Sequence, residues 1–354
     1  MNKELCSFAA RLRGLIADSQ STIGESQFNE LALDLFALQF ENNLAYQKIC
    51  AARKLTPQIV EHWTQIPFVP TAAFKELELT SLAQEERTSV FHSSGTTGQE
   101  PSRHFHSAES LAIYEASLWK WFQINFGDVG ELVFLTPNQI AAPRSSLVHM
   151  FETIRGKFAL PESVFAGNIS ADGSWTVDFA ATIGKLKISC TAGRPLTLLG
   201  TAFSFVHLVD FLAKNNLRFH LPENSRVMET GGYKNRSRTM PKSELHSLIS
   251  EQLGVPCENI ICEYGMSELS SQAYAKSSGE FQFPPWARAQ IVSPENGREV
   301  ADGETGLIRI FDLANVFSVA AIQTEDLGIR RSDSFELIGR AHLAEPRGCS
   351  LMTA

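Results

Sequence analysis

Apolar residues recur at helical intervals between residues 27 and 54. Phe28, Leu31, Leu35, Leu38, Leu44 and Ile49 fall on one side of a 3.6-residue repeat, which predicts one long helix or two. Thr56-Pro57 then reads as an N-cap with proline at the first helical position, and the stiff IPFVP run at 66–70 leads into a short helix at 71–77. Residues 88–91 have the β-branched and aromatic character of a strand, and 107–120 that of a helix. Three strands follow at 131–136, 196–199 and 227–230. Ser145-Ser146 caps the helix after the first, a helix spans about 203–215 after the second, and the third ends at Gly231-Gly232. An amphipathic helix at 241–253, with Leu245, Leu248, Ile249 and Leu253 on one side, precedes a strand at 259–263 that delivers Tyr264-Gly265-Met266-Ser267-Glu268 into a turn. Strands alternating with helices, each strand closing in a polar or glycine-rich turn, predict an α/β sheet with its ligand site at the strand ends. Past Phe283 the pattern becomes short strands (289–292, 306–311, 335–338) between Gly, Pro and Asp turns, a β-rich subdomain. The expected organisation is a helical approach over 1–90 packed on the main sheet, an α/β core over 91–283, the β-rich part over 284–340 and a tail over 341–354.

Composition narrows the function classes. The chain has 354 residues, 44% of them hydrophobic, enough for a large core, and a formal charge of −8. That balance argues against nucleic acid or anionic lipid as a partner. Residues 1–14 mix Lys3, Glu4, Arg11 and Arg13 with apolar positions, unlike a signal peptide, and the most apolar stretch, 196–209, is shorter than the ~20 residues that span a bilayer. The six cysteines, at 6, 50, 190, 257, 262 and 349, fit neither a disulfide scaffold nor paired zinc-ligand spacing. Cys257 and Cys262 come nearest to it, without a second pair. A reduced cytoplasmic protein with no membrane span is expected.

The chemistry concentrates in FHSSGTTGQEPSR at 91–103. Gly95 and Gly98 let a backbone curl its N–H groups onto an anion, and Ser93, Ser94, Thr96 and Thr97 add hydroxyl donors. The stretch lacks the Gly-Lys-Ser/Thr ending of a Walker A loop and the three spaced glycines of a Rossmann fingerprint. By itself it reads equally as an exposed Ser/Thr/Gly turn.

Three more pieces follow it in order: Gly231-Gly232, EYGMSE at 263–268, and Thr324-Glu325-Asp326 with Gly339-Arg340. Together they resemble the adenylate-forming superfamily. With IPFVPTAAFK, SSGTTGQEPSR, PRSSLVHMF, ETGGYKNRSR, EYGMSELSSQAY, GETGLIRIFDLAN, TEDLG and IGRAHLAEPRGCSL, the chain from about Ile66 onward resembles the LuxE-type acyl-protein synthetases of the bacterial fatty-acid reductase complex. The resemblance implies ATP-dependent conversion of a fatty acid to acyl-adenylate, then acyl transfer through a cysteine thioester to a partner protein such as a fatty-acyl reductase or an acyl carrier protein. It implies the N-terminal domain fold of adenylate-forming enzymes, with mixed sheets flanked by helices, and not the usual C-terminal lysine domain.

By this resemblance Ser93, Ser94, Gly95, Thr96, Thr97 and Gly98 hold the ATP phosphates with Arg103 as a nearby cation. Gly231 and Gly232 let adenine approach and Tyr264 stacks on it; Asp326 binds the ribose hydroxyls, Arg340 reaches ribose or phosphate, and Glu268 binds Mg²⁺. Lys234, Arg236 and Arg238 are the cations offered in place of the lysine, against a plain reading as a solvated basic face. Cys349, in RGCSL, takes the acyl-carrying place, where Arg347 would favour its thiolate. Two competing readings stand: a truncated acid–CoA ligase of the phenylacetate–CoA ligase kind, and a non-catalytic nucleotide-binding scaffold.

Overall fold

The computed structural model describes residues 2–18, 22–93, 100–160, 162–232 and 237–341. Helix α1 (Lys3–Ala17) starts where the Asn2 side chain accepts from the N–H groups of Glu4 and Leu5. The apolar repeat makes two helices, α2 (Glu25–Asn42) and α3 (Leu44–Ala52), because Asn43 is extended and caps the second by accepting from the Tyr46 N–H. Thr56-Pro57 opens no helix; the Thr56 carbonyl accepts from Ile59 and Val60, which closes one turn. Strand β1 (Val69–Pro70) and the short helix α4 (Ala73–Glu76) follow. Next, β2 (Ser89–His92) and β3 (Arg103–His106) pair as an antiparallel hairpin. Helix α5 (Ala108–Phe126), capped by Ser107, runs past the expected end because Phe122 and Phe126 are buried.

Beyond it come β4 (Glu131–Phe134), α6 (Ser146–Phe158) with Ser145 as its N-cap, β5 (Val164–Phe165), β6 (Gly167–Ile169), β7 (Trp175–Val177) and α7 (Phe179–Ala192). Strand β8 (Leu196–Thr201), α8 (Ala202–Lys214), β9 (Arg226–Thr230), α9 (Lys242–Leu253) and β10 (Ile260–Tyr264) complete the alternating part. The chain then turns to strands: β11 (Ala273–Ala275), β12 (Glu280–Phe281), β13 (Ala287–Val292), β14 (Thr305–Asp312), β15 (Ala321–Arg331) and β16 (Ser334–Arg340).

Two six-stranded sheets result. The first has the order β5-β4-β8-β9-β10-β11 and is parallel except for β11. Every residue of β8 and β10 is buried, as expected of strands covered on both faces by crossover helices. Their carboxyl ends, with that of β9, put Thr201, Thr230 and Tyr264 at one edge. The second sheet has the order β13-β14-β15-β16-β12, with antiparallel neighbours, and β1 joins β15 in parallel through Val69 opposite Ile322.

The N-terminal helices take a different seat from the one expected. Phe28, Leu31, Leu35, Phe36 and Tyr46 share a core with Ile308, Ile310, Phe311, Ile322 and Phe335 of the antiparallel sheet, and the Phe28 and Phe311 rings meet edge-on at 5.9 Å. Phe311 of β14 is the anchor: its ring meets those of Phe28, Trp63 and Phe68 at 5.9, 6.0 and 6.5 Å, and the apolar sides of α2 and α3 complete that core. Helix α1 also packs on α5, with Arg13 paired to Glu109 at 2.7 Å. Among the described residues no helix is long and apolar enough to cross a membrane.

Candidate nucleotide and acyl-activation site

The β2–β3 hairpin and the turn after β10 are joined by their side chains. At the loop end of the hairpin the Ser102 N–H donates to the Ser93 hydroxyl oxygen at 3.0 Å, and the Ser93 N–H donates to the Ser102 carbonyl at 3.3 Å. The Ser102 hydroxyl in turn donates to Oε1 of Glu268, whose Oε2 accepts from the Ser267 hydroxyl at 3.3 Å. Two residues on, His104 donates from Nδ1 to the Ser267 carbonyl at 2.8 Å. That ring is neutral, since burial lowers its pKa to about 4. Glu268 is itself buried, and burial pushes its carboxyl up, opposed by the two serine hydroxyls and by the charge of nearby Lys75. The groups gathered here offer oxygen only, two from a carboxylate and two from hydroxyls, which is the ligand class of a hard divalent cation.

The second pair of expected residues also meets. The Tyr264 hydroxyl donates to Oδ2 of Asp326 at 2.9 Å, and Asp326 stands opposite Arg340 in the β15–β16 register. Burial raises the Asp326 carboxyl, while the tyrosine hydrogen bond and the Arg340 charge draw it back. The Tyr264 ring lies edge-on to Phe281, Phe283 and Phe335 at 5.9, 6.4 and 5.5 Å and is only 6% exposed. In this arrangement the ring packs against three phenylalanines while its hydroxyl holds Asp326. Gly231 has φ of +69°, a conformation that favours glycine, and both Gly231 and Gly232 are exposed just past β9. At Gly265 a Cβ would crowd Oε1 of Glu263, so a larger residue there would have to displace that carboxylate. Glu263 accepts from the Thr230 hydroxyl across the β9–β10 pair, and burial pushes its carboxyl up to about 7.

Behind the turn lies a buried polar seam that the sequence reading did not single out. Asp312 accepts from the Ser270 N–H at 2.8 Å and the Ser271 hydroxyl at 2.7 Å, while the Asn315 amide donates to the Glu268 carbonyl at 2.8 Å. Burial raises Asp312 to about 6. The signal for these residues was polar positions inside the otherwise apolar run IFDLAN. Ser102 and His104 were hidden in the same way, at the end of a motif read for its glycines. Of the other expected cations, Arg103 donates to the Lys75 carbonyl at 3.5 Å, and Arg238 pairs with Asp210 at 2.9 Å and Glu244 at 3.7 Å on the surface. Ser94, Gly95, Thr96, Thr97, Gly98, Lys234, Arg236 and Cys349 lie outside the described residues.

This fold is that of solved adenylate-forming enzymes. An open conformation of 2-hydroxyisobutyryl-CoA ligase, solved with 2-HIB-AMP and CoA, is similar to it with a TM-score of 0.68 at 13% identity, over 92% of this chain and 76% of that one. Within that class the chain belongs to the acyl-protein synthetase LuxE family, whose model matches residues 8–354. Two relatives are named long-chain-fatty-acid--luciferin-component ligase. The Aliivibrio fischeri protein is 24% identical over 346 residues, covering 92% of this chain and 87% of its own length. That of Vibrio harveyi is 23% identical over 337 residues, covering 91% and 86%. The chain is a ligase of the acyl-protein synthetase family.

Proposed function

We propose that this protein activates a long-chain fatty acid with ATP and passes the acyl group, through a thioester on Cys349, to a thiol of a partner protein. The observation that carries the reading is the Ser102–Glu268 hydrogen bond, which ties the end of the glycine-rich loop to the YGMSE turn. A carboxylate is a poor acyl donor because its leaving group would be oxide. In the first step a carboxylate oxygen of the fatty acid attacks the α-phosphorus of ATP, the bond from that phosphorus to the bridging oxygen breaks, and pyrophosphate leaves. In the second step the Cys349 sulfur attacks the acyl carbon, AMP departs, and the thiol proton goes to solvent.

The chain's own residues divide the work. Ser93 through Gly98 hold the β- and γ-phosphates, Gly231 and Gly232 leave room for the base, and Asp326, oriented by Tyr264 and faced by Arg340, takes the ribose hydroxyls. Glu268 with Ser102 and Ser267 would hold Mg²⁺, which supplies neutralisation of phosphate charge. Lys234 and Arg236 stabilise charge at the α-phosphate. The acceptor is a fatty-acyl reductase or an acyl carrier protein, and the reaction belongs to the cytoplasm, where ATP is supplied.

The test is incubation with ATP, Mg²⁺ and fatty acids of graded length, with intact-mass and peptide analysis of wild type and Cys349→Ser. A hydroxylamine-sensitive adduct on Cys349, lost in the variant while pyrophosphate release persists, is expected. Pyrophosphate release with acyl transfer straight to CoA and no adduct would overturn the thioester step. No ATP-dependent pyrophosphate release with any acid would overturn the activation itself.

A further inference from the structure

On the face of the parallel sheet covered by α9, three side chains of mixed chemistry converge. Glu229 on β9 and Cys262 on β10 are direct cross-strand partners, so they project to the same face, and His246 reaches down from α9. Oε2 of Glu229 lies 3.3 Å from Sγ of Cys262 and 3.6 Å from Nε2 of His246; Sγ and Nε2 are 3.6 Å apart. Bonds of about 2.0–2.3 Å from one tetrahedral cation to O, N and S place those atoms roughly 3.3–3.6 Å apart, the spacing found. By contrast, 3.6 Å between a carboxylate oxygen and an imidazole nitrogen is too long for a hydrogen bond.

A second observation points the same way. Glu229 is fully buried, and its other oxygen, Oε1, has no hydrogen-bond partner. A buried carboxylate with an unused oxygen lacks a full set of counter-charges. Lys242, one turn before His246 on α9, holds its ammonium 3.7 Å from Oε2 and 5.1 Å from the centre of the Phe281 ring, on a side chain 39% exposed. It stands at the rim as the ordinary cation for this site. Burial pushes the Cys262 thiol up to about 12, so it is inert as a nucleophile unless something displaces its proton.

We propose that Glu229, His246 and Cys262 form a tetrahedral site for a divalent cation of the zinc class, with water as fourth ligand. The mixed S, N and O donors suit a borderline-soft ion and not Mg²⁺. On binding, the Cys262 S–H bond breaks as the sulfur–metal bond forms, the proton passes to solvent, and His246 binds through the lone pair of neutral Nε2. The ion competes with the Lys242 ammonium for the Glu229 charge. Its effect is mechanical: it fastens α9 to β9 and β10 next to Thr230 and Glu263, the residues before Gly231 and Tyr264, which on the function proposed above hold the nucleotide. Cys257, the sequence neighbour with ligand-like spacing, is exposed and takes no part.

Metal analysis of the full chain purified from zinc-supplemented culture, then cobalt(II) titration after chelator dialysis, tests this without reference to activity. The expected results are about one equivalent of zinc per chain and a thiolate-to-cobalt charge-transfer band. That band should be lost in Cys262→Ser and weakened in His246→Gln. Lys242→Met should bind cobalt more tightly than wild type. Wild type that retains no stoichiometric zinc and shows no band overturns the site, as does a band that persists in Cys262→Ser. The wild-type titration needs no variant to fold.

Discussion

Ser102 is a small residue with a large assignment, since its hydroxyl is the hairpin's bond to Glu268. Ser102→Ala leaves a buried carboxylate one donor short, which costs about 1–3 kcal/mol. Expressed in the transition state, that is a loss in rate of about 5-fold to 160-fold. Fatty-acid-dependent ATP–pyrophosphate exchange should fall by that factor in Ser102→Ala and recover in Ser102→Thr; unchanged exchange would remove Ser102 from the machinery. Glu263 gives a prediction in pH. Its folded pKa of about 7 exceeds the ordinary 4.5, so the native state keeps a proton that the unfolded chain has released. The stability it contributes is full below the unfolded value and is lost as pH rises through about 7. Asp312, raised from 3.8 to about 6, acts in the same direction. Glu263→Gln mimics the protonated form, so its Tm should decline less than that of wild type between pH 5 and pH 7.5. Parallel declines would refute this.

At the scale of elements, the binding signals in the sequence turn out to be one another's contacts. The hairpin motif meets the YGMSE motif through Ser102 and Glu268, and YGMSELSSQ meets IFDLAN through Ser270, Ser271, Asp312 and Asn315. The alternating half of the fold was legible because β8, β9 and β10 are apolar runs closed by helix-period segments. Strand β15 was not, for its AIQTEDLGIRR sequence has no clean period of two: Gln323, Glu325 and Asp326 are spent on the sheet edge and the site, not on an alternating face. The seat of the N-terminal helices was hidden for another reason. Periodicity reports that α2 has an apolar face but not which apolar face meets it. One polar residue on that face settles the partner. Gln39 donates to the Asn315 carbonyl at 2.7 Å and the Val316 carbonyl at 3.2 Å, and accepts from the Ala320 N–H at 3.0 Å. Gln39→Leu strands the Val316 carbonyl and the Ala320 N–H and leaves the Asn315 carbonyl with the Ser318 N–H alone, and should cost about 2 kcal/mol or more, read as a lower urea midpoint at unchanged m-value. A neutral result would show that the loop after β14 holds its shape without α2.

Across the whole molecule, the two sheets are bound into one body by segments far apart in sequence, and the parallel pairing of Val69 with Ile322 is the longest of these ties between strands. It imposes an order on biogenesis. Some 250 residues must leave the ribosome after β1 before its partner exists, which at about 5–20 residues per second is a delay of tens of seconds. Throughout that interval the apolar side of α2 and α3, with Phe28, Leu31, Leu35 and Phe36, has no sheet to rest on. That apolar side therefore stays uncovered until β14 and β15 arrive, and slowing translation of the last quarter is expected to lower the soluble fraction at high expression.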